Sequence, residues 1–350
     1  MTRTLSCSLA ALFSATTAFA DAPKVITDFG PTQGIVARVM DGVAVPTALL
    51  TGTDTPHDFA LRPSQARDVS NADLVVWIGH AMSPWLEDPL ENLGADATQI
   101  ELLETEGWTL LANRDEDGDE DDHDAHDDEH DDDEEHAHDD DHDDHEDDHD
   151  DHGDEHDQDD AHADDDDHTE DDHAEHDDHG HGHGPNDPHA WLDPDIAAVW
   201  AVMIADALGK IDPDNAAVYA SNAAAFGAEM TVLGDEISAT LADVAPDTLL
   251  LSHDNMQYFE VRFDFEPAGF IAETDAAEPG PAHLREIRDL VAEGQITCIL
   301  SDIETNPGTL AMLRDGSDIG TAMIDATDSA GAGYAGMMRS IAGALASCAS

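Results

Sequence analysis

Short apolar runs alternate with amphipathic stretches along most of the chain, and this alternation predicts an α/β fold. Near the N-terminus, the pattern predicts a strand at Lys24–Phe29, a helix at Thr32–Asp41, a helix opened by Pro63, and a buried strand at Leu74–Gly79. Strands that alternate with helices pack into mainly parallel sheets with the helices on their faces. We therefore predict an N-terminal α/β lobe.

The same alternation returns towards the C-terminus. Apolar runs predict strands at Leu249–Leu251 and Thr297–Ser301, and amphipathic stretches predict helices at Pro281–Glu293 and Gly333–Ser347. A second, similar α/β lobe is therefore expected over residues 244–350.

Residues 213–243 are predicted to join the two lobes as one long helix. A thirty-residue helix would be about 45 Å long, more than one lobe needs, and a rigid helix of this kind would allow only small movements between the lobes. Two shorter helices broken at Gly227 or Gly234 are the alternative, because each glycine costs roughly 1 kcal/mol in a helix. The apolar positions have helical spacing and share one face: Val218, Phe226, Met230, Leu233, Ile237 and Leu241.

Residues 113–184 interrupt the pattern with almost nothing but Asp, Glu, His, Gly and Ala. Such a segment, called the tract below, cannot bury enough apolar surface to fold, so we expect a disordered insertion within an N-terminal lobe of residues 21–212. Half of the 82 acidic residues lie in the tract, and the formal net charge is -70. Because no basic stripe is present, we expect no nucleic acid partner.

The first twenty residues have the features of a cleaved secretion signal. Arg3 precedes a short apolar stretch, and Ala18-Phe19-Ala20 forms a cleavage site before Asp21. No later segment offers the roughly 18 consecutive apolar residues of a membrane span. We therefore expect residues 1–20 to be a signal peptide and the mature protein to lie outside the cytoplasm, not embedded in the membrane. A periplasmic location and a monomeric state are also expected.

Two cysteines remain after the signal, Cys298 and Cys348. Disulfides persist in an oxidising compartment, so we predict that these two residues form one, with two buried free thiols as the alternative.

Four residues on different loops are candidate metal ligands. His57 lies in a loop before a predicted helix, His189 lies between the prolines of Asp187–Pro194, and His253 and Asp325 follow apolar runs. Ligands of α/β sheets bind at the carboxyl ends of the strands. Three imidazoles and a carboxylate form a tetrahedral set suited to Zn2+. The sequence therefore predicts a zinc site at His57, His189, His253 and Asp325, in the cleft between the lobes.

Other polar residues near these positions are weaker candidates. Asp58, Asp193 and Asp254 flank the histidines and could orient the imidazoles by accepting hydrogen bonds. His80 could approach the cleft, although a loop histidine without a metal role is the favoured interpretation. His283 is predicted to lie on a surface helix.

The motifs around the candidate ligands resemble those of a known family. The runs His57–Ser64, Asn71–Trp77, Asp187–Pro194 and Ser252–Asp254 are similar to the ZnuA family of periplasmic zinc-binding proteins, the solute-binding components of zinc ABC transporters. The resemblance implies two α/β lobes joined by one long helix, the same four ligands in the cleft, and delivery of Zn2+ to a membrane permease. The chain departs from the family's usual pattern next to Asp325 and in the stretch after His253.

The histidines of the tract are expected to act as an accessory zinc collector or as a sensor of zinc sufficiency. Each binding event must fix residues of the tract, which costs about 1–2 kcal/mol of conformational entropy per residue, so the affinity per ion should be modest. An inert acidic spacer is the alternative. The tract holds 17 of the 22 histidines: His123, His126, His130, His136, His138, His142, His145, His149, His152, His156, His162, His168, His173, His176, His179, His181 and His183.

Three other functions are open on the sequence alone. They are a manganese or iron carrier of the same architecture, a periplasmic zinc storage or buffer protein, and a secreted zinc hydrolase with an open position for water. Histidine at position 253 favours zinc over manganese, which prefers a carboxylate, and Asp325 would close the position that a hydrolase needs. We therefore expect no enzymatic activity.

Overall fold

The computed structural model describes residues 22–52, 54–56, 59–114, 186–272 and 279–349. The predicted signal peptide, most of the tract with all of its histidines, and the candidates His57 and Asp58 lie outside the described residues.

The N-terminal lobe is built on a parallel sheet of four strands in the order β2-β1-β3-β4. All residues of the two central strands are buried, because helices cover the sheet. The strands are β1 Val25–Thr27, β2 Thr47–Ala48, β3 Leu74–Trp77 and β4 Thr98–Glu101, and the helices are α1 Gly30–Val39, α2 Pro63–Ser70 and α3 Glu87–Asn92.

Two long helices, α4 at Pro194–Ile211 and α5 at Ala216–Leu241, lead from this lobe to the next and pack along each other. The long helix predicted for residues 213–243 is observed as the single 26-residue helix α5. It runs unbroken through Gly227 and Gly234.

The C-terminal lobe repeats the topology of the first with a parallel sheet in the order β6-β5-β7-β8. Both lobes thus place their first strand second in the sheet. The strands are β5 Leu249–His253, β6 Gly269–Ala272, β7 Cys298–Ser301 and β8 Gly320–Met323, and the helices are α6 Gln257–Phe263, α7 Pro281–Ala292, α8 Pro307–Arg314 and α9 Tyr334–Cys348.

One hydrophobic core runs through both lobes. It includes Ile35 of α1, Phe226 of α5, Leu300 of β7 and Ile341 of α9, and a smaller cluster lies under α7 and α8. The described residues up to Arg114 and from Asn186 onwards belong to one compact unit, and residues 115–180 are not part of it. A chain that lacks residues 115–180 therefore keeps these core residues.

Two glycines of α1 let the lobes approach each other closely. A Cβ atom on Gly30 would lie 2.4 Å from the carbonyl oxygen of Thr327, and one on Gly34 would lie 2.8 Å from the backbone nitrogen of Tyr334. Both obstacles are backbone atoms of the C-terminal lobe, so a side chain at either position would force the lobes apart.

The predicted disulfide is confirmed. Cys298 opens β7, Cys348 ends α9, and their Cα atoms are 5.5 Å apart. The bond therefore ties the last helix to the C-terminal sheet.

None of the helices in the described part of the chain has the length and apolar character that crossing a bilayer requires.

Candidate metal centre between the lobes

His189 lies on the first described segment after the tract. The backbone of Asp187 donates to the carbonyl of Leu111 at 3.0 Å, which anchors this segment. The buried indole of Trp191 packs against the imidazole of His189, with ring centroids 5.1 Å apart. The same indole donates to the carbonyl of Ala326 at 2.9 Å, so it links the loop of His189 to the loop of Asp325.

The imidazole of His189 is held in one orientation by a carboxylate. Its Nδ1 atom lies 2.8 Å from Oδ1 of Asp187, which also accepts the backbone N–H of His189 at 2.8 Å. His189 is 7% exposed. A neutral imidazole that donates from Nδ1 has its lone pair on Nε2, the arrangement that metal-binding histidines use.

His253 has the same arrangement on the other lobe. It is the last residue of β5, is 7% exposed, and places Nδ1 3.0 Å from Oδ2 of Asp302, just after β7. Burial raises the pKa of Asp302. The hydrogen bond and charge of His253 and the hydrogen bonds from Ser252 and Thr305 outweigh burial and hold that pKa well below its ordinary value. Asp302 is therefore a carboxylate that fixes the tautomer of His253.

The two imidazoles share a pocket. Their ring centroids are 6.1 Å apart. Two imidazoles on one zinc ion, at about 2.0–2.1 Å per bond, have ring centres roughly 5–6 Å apart. Asp325 lines the same pocket, and so does Pro56, the residue before His57. Three of the four predicted ligands are therefore at one pocket, and the fourth, His57, lies outside the described residues.

Asp325 is bound to its own loop. One carboxylate oxygen accepts from the hydroxyl of Thr327 at 3.1 Å and the backbone of Ser329 at 3.0 Å. The other accepts from the hydroxyl of Ser329 at 2.9 Å and the backbone of Ala330 at 3.1 Å. Burial raises the pKa of Asp325, but these hydrogen bonds lower it by more, so that the pKa lies below its ordinary value and the carboxylate is charged.

The four-residue ligand set stays a prediction. Within the described ranges, no group of three or more His, Cys, Asp or Glu residues could hold a metal ion, and His57 lies outside those ranges. His80 does not line the pocket and is 64% exposed at its side chain, with Nδ1 2.6 Å from the carboxylate of Glu87. His283 hydrogen-bonds the carbonyl of Phe270 at 2.9 Å.

The acids that orient the imidazoles differ from those suggested by the sequence. Asp193 accepts from the backbone of Asp195 and caps α4, and Asp254 pairs with Arg114. The suggestion was wrong for both, because proximity along the chain does not set the direction of a side chain. The orienting carboxylates are those of Asp187 and Asp302.

Arg114, the last described residue before the gap at 115–185, is fixed by contacts near His253. The guanidinium of Arg114 lies 3.1 Å from Asp254, pairs with Glu260, and stands over the ring of Phe270 at 5.2 Å. Burial raises the pKa of Glu260 to about 7, although Arg114 lowers it. Arg114 is therefore held next to the residue that follows His253.

The fold and this pocket define a two-lobed solute-binding protein. A family profile described as the periplasmic zinc-uptake complex component A, ZnuA, matches residues 25–348. The chain is 38% identical over 335 residues to the high-affinity zinc uptake system protein ZnuA of Paracoccus denitrificans, covering 94% of this chain and 92% of the relative. The Brucella abortus protein of the same name is 36% identical over 301 residues, which cover 86% of this chain and 83% of the relative. The chain belongs to the ZnuA family.

Solved structures share the fold at lower identity. A zinc-bound ZnuA mutant lacking residues 138–173 of its own chain has a TM-score of 0.68 and 18% identity, and the match covers 94% of this chain and 99% of that one. A mutant laminin-binding adhesin of Streptococcus agalactiae has a TM-score of 0.66 and 20% identity, with coverage of 94% and 100%. The predicted two-lobed α/β architecture is confirmed.

Proposed function

We propose that this protein captures Zn2+ in the periplasm as a monomer and delivers it to the membrane permease of an ABC-type importer. The main support is the pair of buried imidazoles of His189 and His253 at one pocket, each fixed by a carboxylate at Nδ1. Family membership supports transport rather than catalysis.

We propose His57, His189 and His253 as ligands of the ion. Neutral imidazoles suit zinc, and the carboxylates on Nδ1 favour the tautomer that can bind a metal through Nε2. The position of Pro56 in the pocket wall supports the inclusion of His57. Asp325 lies in the wall of the same pocket, and we propose it as the fourth ligand.

Calorimetric zinc titration of a chain lacking residues 115–180 tests this proposal. We expect one tightly bound ion, and a loss of affinity in His189→Ala and His253→Ala beyond the roughly 10–100-fold that removal of an outer-shell partner costs. His283→Ala is the matched control and should bind like the parent. Unchanged affinity in either ligand variant would contradict the proposed site.

Metal selectivity distinguishes the manganese or iron carrier from the zinc carrier. Imidazole ligands favour zinc over manganese, which prefers oxygen ligands. In a competition titration of the same shortened chain, zinc should displace Mn2+ completely. Retention of Mn2+ against equimolar zinc would support the alternative.

We propose the tract as an accessory zinc collector or sensor. The described residues on either side of residues 115–185 support this proposal, since Arg114 pairs with Asp254 beside His253, and Asn186 precedes the Asp187 that hydrogen-bonds His189. Zinc uptake at scarce zinc should fall when residues 115–180 are removed. Unchanged uptake and zinc stoichiometry would leave the tract an inert spacer, and loss of all tight binding would favour a storage or buffer protein.

A further inference from the structure

Two buried tyrosines of the C-terminal lobe hold the loop that carries His189, one on each side of it. The hydroxyl of Tyr258, on α6, donates to the backbone carbonyl of Asp187 at 3.3 Å. The hydroxyl of Tyr334, at the start of α9, donates to the backbone carbonyl of Trp191 at 2.7 Å. Both tyrosines are 2% exposed. His189 therefore lies between two main-chain positions that the other lobe fixes.

The hydroxyl of Tyr258 also joins the loop of His189 to a second segment of the N-terminal lobe. It accepts the backbone N–H of Leu111 at 2.9 Å, and the carbonyl of Leu111 accepts the backbone N–H of Asp187 at 3.0 Å. Leu111, Asp187 and Tyr258 thus form a closed set of three hydrogen bonds. The main chain of Asp187 is held at both its N–H and its carbonyl. The carboxylate of Asp187, which contacts Nδ1 of His189, therefore extends from a fixed backbone.

Both phenols keep the protons that these hydrogen bonds need. A carbonyl oxygen can only accept, so the tyrosine hydroxyl must be the donor. Burial raises the pKa of Tyr258, although the N–H of Leu111 lowers it, and the charge of Asp187 adds to the increase. Burial raises the pKa of Tyr334 as well. The two hydroxyls are therefore protonated donors at neutral pH.

These hydrogen bonds cross between the lobes where the spacing of the two imidazoles is set. His253 ends β5 in the C-terminal lobe, and the ring centroids of His189 and His253 are 6.1 Å apart. The groups of a binding site must be held within about 0.5 Å of the productive geometry by the packing and hydrogen bonds around them. The lobe that carries His253 supplies two such hydrogen bonds to the loop that carries His189.

We propose that Tyr258 and Tyr334 are positioning residues for zinc capture. Their hydroxyls hold His189 at the distance from His253 that one ion needs. Tyr258 acts through Asp187, whose carboxylate orients the imidazole. Tyr334 holds the main chain on the other side of the loop. The inference rests on the proposed function, since it takes His189 and His253 as ligands of the same ion.

Removal of each hydroxyl in the full chain tests this role. Tyr258→Phe and Tyr334→Phe keep the buried rings and lose only the hydrogen bonds. Each should weaken zinc binding about tenfold in a chelator competition, the lower end of the effect of an outer-shell partner. Each should also lower the urea midpoint of the metal-free protein, because a buried carbonyl loses its donor. The tract is the same in every variant, so a difference in affinity reports on the pocket.

Tyr219→Phe is the matched control. Tyr219 is fully buried and donates to Oδ2 of Asp212 at 2.8 Å, and neither residue lines the pocket. This variant should lower the urea midpoint in the same way and leave zinc affinity unchanged. Unchanged zinc affinity in Tyr258→Phe or Tyr334→Phe, or an equal loss of affinity in Tyr219→Phe, would overturn the proposal.

A double-mutant cycle distinguishes positioning from a general loss of structure. Asp187→Ala removes the carboxylate that contacts His189 but keeps the carbonyl to which Tyr258 donates. In the Asp187→Ala background, Tyr258→Phe should weaken zinc binding by less than about twofold and should still lower the urea midpoint. A loss of affinity as large as in the parent would contradict the proposed route through Asp187. If His189→Ala kept the parent's affinity, the proposed function itself would have failed.

Discussion

Gly30 is the point at which a single methyl group should reveal how closely the lobes pack. It begins α1 in the N-terminal lobe, and a Cβ atom there would lie 2.4 Å from the carbonyl oxygen of Thr327, whereas ordinary contact begins at 3.4 Å. Gly30→Ala must therefore move α1 and the loop after Asp325 apart by about 1 Å. The obstacle is backbone, so no rotamer change can relieve it.

The expected cost follows from two opposing terms. Overpacking of this kind costs about 1–3 kcal/mol. Replacement of glycine by alanine in a helix raises the free energy of unfolding by roughly 0.5–1 kcal/mol, because alanine has less conformational freedom than glycine in the unfolded chain. We expect Gly30→Ala to lower the free energy of unfolding by about 1–2 kcal/mol.

Urea unfolding of the metal-free protein, followed by circular dichroism, measures this effect. Gly227→Ala is the matched control, since the nearest atom to a Cβ there is 3.9 Å away, on Ala198. This control should gain up to about 1 kcal/mol from helix propensity. If Gly30→Ala were stabilised like Gly227→Ala, the close packing of the two lobes would be refuted.

Three further predictions concern charge and covalent links. Asp302→Asn should weaken zinc binding roughly 10–100-fold in a chelator competition, because the charge that holds the imidazole of His253 is lost, and an unchanged affinity would contradict this. Glu260 has a pKa near 7 in the folded protein against 4.5 ordinarily, so the folded state binds the extra proton and stability falls as the pH rises through this window. Between pH 4 and pH 8, the free energy of unfolding of Glu260→Gln, measured with urea, should therefore rise by up to about 3 kcal/mol relative to that of the wild type. A difference that does not change with pH would be inconsistent with the raised pKa. Replacing Cys298 and Cys348 by serine should lower the free energy of unfolding by about 4 kcal/mol, because the bond closes a loop of about fifty residues in the unfolded chain. A decrease below about 1 kcal/mol in urea unfolding would show that the bond does not restrict the unfolded chain.

The formation of the central strands was predictable, but the edges of the sheets were not. Strands β1, β3, β5 and β7 are buried throughout and start with apolar runs, because helices cover the faces of the sheets. The outer strands β4 and β8 are largely exposed or partly buried, so their sequences lack that signal. Helix α4 was missed although Asp193 caps it and Pro194 opens it, a combination that marks a helix start.

The site was predictable where ligands follow strands. His253 ends β5 and Asp325 follows β8, as the position of ligand sites in α/β sheets requires. Asp302 follows β7 and could have been found by the same rule. The hydrogen bonds that hold Asp325 to its own loop depend on side-chain directions, which a pattern of residue types does not contain.

The most direct test of the zinc site is X-ray absorption at the zinc edge, on the chain lacking residues 115–180 loaded with one equivalent of zinc. We predict three imidazole nitrogens and one oxygen at about 2.0–2.1 Å, with one imidazole fewer in His253→Ala. A shell made only of oxygens, or one that His253→Ala leaves unchanged, would contradict the assignment of the pocket as the zinc site.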